Sequence, residues 1–379
     1  MYINRQSNYE ILRVIAMIFI IIWHFLFHGL SHILYNSNPN IPILSTPGIV
    51  NFFGTKFLSY ISAVEINCYV LISGYFLIKS EFRFNRIIKI WGETFFYSFF
   101  ICILIYFFGS TTIEIKEIIK SAFPIKYNIY WFVTNYIALV VLAPFLSRLI
   151  FSLKKRDFQI LIIILSILNL DLFKGIPYGN IFSGSQSLFW FIYLFFIASY
   201  IRLYEPLKHV KYFGLYFISL CLLLTVLFAI NIYIHYEFLG QKTVYNFIIN
   251  YNGITFFSSV LLFMCIKHHS FPSNKFIHFI TRIAPYTFGI YLIYDNPYIR
   301  ELIWEHWVNS MKYVNSYFLL PLLLFVSISI FCICALLDYS RSKLVDILHI
   351  NKLPSFIINK LGNHKWVICI KDFRKSKNV

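Results

Sequence analysis

Five ionisable side chains, Glu10, Arg13, His24, His28 and His32, fall within one apolar run, residues 9–34. Such groups are expensive in hydrocarbon and persist where they face a protein interior or a water-filled cavity, so each is a functional candidate by default. Arg13 and His24 stand eleven residues apart. At about 100° per residue this is about three turns plus 20°, which puts both on one helix face, separated by a rise of about 16 Å. His24 then lies deep in the run, and a neutral imidazole is the side chain suited to taking up a proton near pH 7. We read His24 as a general base. The three histidines recur at i, i+4 and i+8, and such a pair can bind a metal. No carboxylate or thiolate of the run accompanies them at ligand spacing, so no metal is expected. His28 and His32 approach the end of the run and read as interfacial, hydrogen-bonded groups.

Three further carboxylates lie in apolar runs: Glu65, Glu93 and Asp295. Any of them could orient His24 or balance Arg13, and the sequence leaves the choice open. Arg83 and Arg86 share one short loop with Lys79 and Lys89. Arginine suits bidentate phosphate contact, while a basic loop between spans is also what membrane topology alone produces.

The elements that must hold these groups follow from composition. Of 379 residues, 59% are hydrophobic, 21% aromatic and only 13% charged. Soluble domains average about 25% charged residues. A soluble, disordered or disulfide-scaffold chain is excluded, and an all-α, polytopic transmembrane helix bundle remains. Ten apolar runs are expected as spans, near 9–34, 57–78, 87–108, 129–147, 158–172, 187–201, 211–234, 246–266, 283–299 and 316–338. The fifth is the shortest. With a cytoplasmic N-terminus, 24 basic residues fall in inside loops and 8 in outside loops. Deleting the fifth span would reverse that bias, so the positive-inside rule keeps it and places both termini in the cytoplasm. Residues 1–340 form the transmembrane domain, and 341–379 a basic cytoplasmic tail. The net charge of +17 is spread over short loops, which fits anionic lipid headgroups and not nucleic acid. Seven cysteines with no C-x-x-C pair read as small buried hydrophobes. Two outer loops rich in turn formers, 35–54 and 174–187, either shape a pocket or simply connect spans.

The opening Tyr9-Glu10-Ile11-Leu12-Arg13, continuing through Ala16 to His24, resembles the bacterial integral-membrane acyltransferase-three family, which acetylates O-antigen, capsule and nodulation-factor sugars. Asn67 to Tyr75, with Ser73-Gly74-Tyr75 and then Arg83-Phe84-Asn85-Arg86, is similar to its Ser-Gly-aromatic span end and Arg-x-x-Arg loop. Tyr130-Trp131-Phe132 with Tyr136 and Pro144, and Tyr286 to Asn296, continue the likeness over most of residues 8–340. One departure is Leu292-Ile293-Tyr294, where many members read Leu-Ile-His. Tyr294 donates a hydrogen bond but is a poor base at neutral pH.

The resemblance implies a membrane-embedded O-acyltransferase in the cytoplasmic (inner) membrane. It would move an acyl group, acetyl foremost, from cytoplasmic acyl-CoA to a hydroxyl of a cell-surface polysaccharide or its lipid-linked precursor. Acetyl-CoA is the expected co-substrate, and a glycan and membrane lipids are the expected partners. His24 and Arg13 would be catalytic, and Arg83, Arg86 and Arg13 would hold the donor's phosphates. Glu10, Glu65, Ser73, Glu93, Trp131, Tyr294 and Asp295 would support or contact substrate, Trp131 either as a sugar-stacking platform or as part of an aromatic belt. A pantetheine arm of about 15–20 Å would span the Arg13–His24 rise. A membrane transporter or glycan flippase is the alternative. Such proteins often carry inverted repeats and paired broken helices, and neither is visible in the chain.

Overall fold

The computed structural model describes residues 7–30, 46–109, 113–170, 186–237 and 252–349, and these contain helices and no strands. His32, most of the two long outer loops, and the chain beyond residue 349 lie outside them. Helix α1 runs Ser7–His24 and continues as a π turn over Phe25–Gly29. It is followed by α2 (Thr46–Ser62), α3 (Glu65–Leu77) and α4 (Phe84–Phe108). Next come α5 (Ile115–Ala122), α6 (Trp131–Ser152), α7 (Lys155–Asn169), α8 (Leu188–Tyr204), α9 (Phe213–Glu237) and α10 (Asn252–His268). Helix α11 (Lys275–Ile283) is joined by a 3-10 turn to α12 (Thr287–Tyr294); α13 (Pro297–Glu301) and α14 (Leu319–Ile347) complete the order.

Among the described residues, seven helical segments are long and apolar enough to cross a membrane: Ser7–Gly29, Thr46–Leu77, Phe84–Phe108, Trp131–Ser152, Phe213–Asn231, Lys275–Tyr294 and Leu319–Ile347. Leu188–Tyr204 and Gly253–His268 are apolar but shorter. Helix α7, the expected fifth span, has 15 residues. The chain is a multi-pass membrane protein. Its outer surface fits that solvent: Leu104, Phe107 and Phe108 of α4, Leu215 and Leu222 of α9, and Phe325 and Leu336 of α14 all point away from the protein.

Three boundaries differ from the sequence reading. Helix α2 begins at Thr46, so much of the expected 35–54 loop is helical. Pro47 sits in its first turn, where a backbone N–H is not needed. The polar Asn51 of this stretch is buried and donates its Nδ2 to the Val314 and Ser316 carbonyls at 2.7 Å each. Lys56, counted among outer-loop charges, is instead 1% exposed within α2, with its Nζ 4.6 Å above the Phe228 ring. The ninth span starts at Lys275, earlier than residue 283, and is broken at Ala284–Tyr286. Pro285 there removes a backbone donor and disfavours an uninterrupted α-helix. Helix α14 runs without interruption through residue 340, where the tail was expected to start.

Helix α1 is central. Its Tyr9, Leu12 and Ala16 join one buried cluster with α3, α6, α8 and α10. Its Val14, Met17, Ile20, Ile21, Phe25 and Leu26 join a second with α4, α12 and α14. In the first cluster α3 comes close to α8 at Gly74, where a Cβ would stand 2.9 Å from Ala198 Cβ and 3.1 Å from Phe195 Cα. Small residues allow such close helix contact in a membrane, where packing replaces the hydrophobic drive. Cys68, Cys102, Cys221, Cys265, Cys332 and Cys334 are free thiols, and Cys369 lies outside the described residues.

Candidate active site

Between the two clusters lies a cavity of about 300 Å³. Arg13, Met17, Ile20 and His24 of α1 form one wall, as their shared helix face requires. Ile66, Tyr69 and Ser73 of α3, Ile90 of α4, Trp131, Phe132 and Tyr136 of α6, and Ala284, Pro285, Thr287, Phe288, Tyr291 and Asp295 of the broken span complete it. The cavity thus has a cation towards the N-terminal end of α1, an imidazole about 16 Å further along, and an aromatic flank between. Phe132 and Tyr136 stack nearly parallel, with centroids 5.9 Å apart.

Each end is held by neighbours. Arg13 Nη1 donates to Glu10 Oε1 at 2.7 Å, one turn earlier, and the Tyr69 hydroxyl donates to the Arg13 carbonyl at 2.9 Å. Ser73 Oγ donates to the Tyr136 hydroxyl at 3.4 Å, which joins α3 to α6. His24 Nδ1 lies 3.5 Å from Asp295 Oδ1 and makes no hydrogen bond. Arg300 Nη1 reaches the same carboxylate oxygen at 3.5 Å. The Tyr294 ring packs 5.6 Å from the His24 ring, and its hydroxyl is buried without a partner. The π turn begins directly after His24, an irregularity frequent at functional sites. It is pinned by Ser310 Oγ donating to the Gly29 carbonyl at 2.7 Å and by the Phe25–Trp304 contact at 5.7 Å.

The expected residues therefore divide. Arg13, His24, Ser73, Trp131 and Asp295 line the cavity, with Glu10 and Tyr294 immediately behind it. Glu65 is buried in α3 but does not line the cavity. Glu93 accepts from Arg341 Nη2 at 2.8 Å, in a cluster where the Asp338 carboxylate takes Arg341 Nε and the Tyr97 hydroxyl, each at 2.7 Å. That group ties α4 to α14 and leaves Glu93 no contact with His24 or Arg13 among its hydrogen bonds. Arg83 and Arg86 are not part of the cavity wall. Arg83 precedes and Arg86 lies within the first turn of α4, a 25-residue helix with no acidic residue in that turn, and the Arg83 side chain makes no capping hydrogen bond. Tyr130, next to Trp131, is buried; its hydroxyl donates to the Leu292 carbonyl at 2.9 Å and receives Asn296 Nδ2 at 3.0 Å.

Sequence reasoning missed Tyr69, Tyr291 and Arg300. Arg300 was counted as a loop charge, although it follows Asp295 by five residues, within reach across α13. The fold also supplies what the histidine spacing lacked. His24, His28 and Asp295 have potential ligand atoms all within 4.8 Å of one another, so a cation could be held there, in competition with Arg300 for the carboxylate.

Chemically, the arrangement can hold an anionic or carbonyl-bearing group by Arg13 and take a proton at His24. With Nδ1 turned to Asp295, Nε2 is the ring atom left to accept. Residues 6–339 match the model of a protein family described as an acyltransferase domain. Comparison with curated proteins and with solved structures gave no match.

Proposed function

Because the chain belongs to the acyltransferase-3 family, whose members are membrane acyltransferases, we propose that it transfers an acetyl group from acyl-CoA to a hydroxyl of a cell-surface polysaccharide or its lipid-linked precursor. The observation that carries this reading is the single cavity lined by both Arg13 and His24. A donor anchored by its phosphates near Arg13 would extend its pantetheine arm, about 15–20 Å long, to place the thioester beside His24.

In this mechanism the acceptor hydroxyl enters at the His24 end. Nε2 removes its proton as the oxygen attacks the thioester carbonyl. The tetrahedral intermediate collapses, the ester forms, and the thiolate leaves and takes the proton back from the imidazolium. Asp295 fixes the ring and stabilises the imidazolium that forms, as a carboxylate beside a catalytic histidine does. Trp131, Phe132 and Tyr136 offer flat faces against which a sugar ring can lie. Direct transfer is preferred over an acyl-serine or acyl-cysteine: among the described residues the cavity wall holds no cysteine, and its serine, Ser73, is bonded to Tyr136 and not to a base, which leaves His24 as the other group able to carry the acyl.

Arg83 and Arg86 belong to the same proposal as the grip on the donor's phosphates. A helix N-terminus favours anions through its free N–H groups and dipole, and both side chains stand at that of α4. The charge bias of the loops supports a cytoplasmic position for this end in an inner-membrane orientation.

The experiment is transfer of radiolabel from acetyl-CoA to glycan by purified protein in detergent or nanodiscs. His24→Ala should bind donor and fail to acetylate. Substantial acetylation by that variant would remove His24 from the mechanism. Unchanged donor affinity in Arg83→Ala/Arg86→Ala would leave those arginines a topological role alone.

A further inference from the structure

Away from the central cavity, the ends of α3 and α8 enclose an open basin of about 700 Å³. Lys79, Arg202, Lys208 and His209 line it. One carboxylate, Glu205, shares the rim, and Lys267 offsets it at 3.9 Å. The Arg202 guanidinium is already set in place: it lies 4.6 Å over the Tyr75 ring, and Nη1 donates to the Tyr75 hydroxyl at 2.8 Å. Stacking of this kind fixes the plane of the guanidinium and lowers the entropy lost when it meets an anion.

The connecting loop is bent into that position. Glu205 and Leu207 both adopt left-handed backbone, with φ of 44° and 61°. Neither is glycine, and such conformations persist where surrounding structure imposes them, often at functional sites. The bend carries Lys208 and His209 to the rim, and Leu207, 56% exposed, stands among the cations.

We propose that this basin is a binding site for a phosphate ester, separate from the acyl-transfer cavity. One guanidinium held in place, two exposed lysines and a histidine around one concavity suit a group of two or more negative charges. Phosphate esters reach this end of the bundle from two sources: a soluble nucleotide and an anionic phospholipid headgroup. Basic pockets between transmembrane helices on the cytoplasmic side are known to take the latter. The site stands whether or not the acyl donor is a CoA ester, since nothing in it depends on the transfer reaction.

The test uses full-length protein in nanodiscs and two probes. Adenosine 3′,5′-bisphosphate is titrated calorimetrically into phosphatidylcholine discs. Retention of phosphatidylglycerol over phosphatidylcholine is measured separately by native mass spectrometry. Lys79→Gln/Lys208→Gln should weaken binding about tenfold in at least one arm, because two charge-assisted contacts are lost. The arm that responds identifies the source. Lys79→Arg/Lys208→Arg should keep the wild-type affinity, which separates charge from a folding defect. A neutral variant that matches wild type in both arms would overturn the proposal. So would absence of binding to wild type in both. Neither result touches His24-dependent transfer, which is read from labelled product.

Discussion

Gly289→Ala tests the cluster that ties α4 to α14, against which the broken span packs at Gly289. A Cβ at Gly289 would overlap the whole Asp338 carboxylate, whose Oδ2, its most distant atom, would stand only 2.6 Å away. Asp338 is 1% exposed and is held by Arg341 and by the Tyr97 hydroxyl, so it cannot swing aside without breaking those bonds. Overpacking alone costs about 1–3 kcal/mol, and losing one partner of a buried ion pair about 3–5 kcal/mol. A loss of about 3 kcal/mol or more is expected. Gly54→Ala is the control. Its Cβ would meet Leu320 Cδ1 at 2.7 Å, but that is the end of a flexible side chain and can move. Both glycines are helical, so the gain of about 1 kcal/mol that alanine brings to a helix cancels between them. Equilibrium unfolding in mixed micelles should therefore show a difference of at least about 2 kcal/mol between the two variants. Equal unfolding free energies would refute the claim that Asp338 is immobile.

Asp295→Asn should lower the rate of transfer without changing donor affinity, read as a fall in kcat at constant KM for acetyl-CoA, because it removes the charge facing His24 and not a phosphate contact. Tyr294→Phe removes a buried hydroxyl that has no partner, so stability should hold or rise by about 1 kcal/mol; unfolding measurements decide this, and a large loss would reveal a bond the structure does not contain. Trp190→Phe deletes the 2.8 Å bond from Nε1 to Asn67 Oδ1 and should destabilise by about 1–3 kcal/mol in the same assay. Reporter fusions at Lys208 and Lys275 should both read as cytoplasmic; opposite signals would invalidate the ten-span orientation.

How much of this was legible in the sequence depended on distance along the chain. Arg13 and His24 were placed on one face correctly because helix geometry alone relates positions eleven apart. The partner Arg13 takes, Glu10, was not among the carboxylates offered for it, although it stands only three residues away on the same helix. The choice among Glu65, Glu93 and Asp295 was not legible, since it depends on which distant helix turns which face inward. Asp295, at the end of the broken span, comes within 3.5 Å of His24, whereas Glu93 faces α14 and finds Arg341. Buried polar residues misled in the other direction. Asn51 and Lys56 looked like loop residues, yet the fold gives Asn51 carbonyl partners and Lys56 an aromatic face.

The place of α1 in both buried clusters has a mechanical consequence. A carrier that exposes its site alternately to two sides rocks one half of the bundle against the other about a seam. Here the seam is occupied by a helix that interlocks with each half through different side chains, Leu12 and Ala16 on one flank and Met17 and Ile21 on the other. Parting the halves would strip α1 from one of them and pull Arg13 and His24 out of register with the opposite wall. Access must instead come end-on, by movement of loops or outer helices, with the keel of the bundle at rest. A stationary keel suits a site where two reactants meet from opposite sides and only an acyl group, not a whole sugar, changes hands.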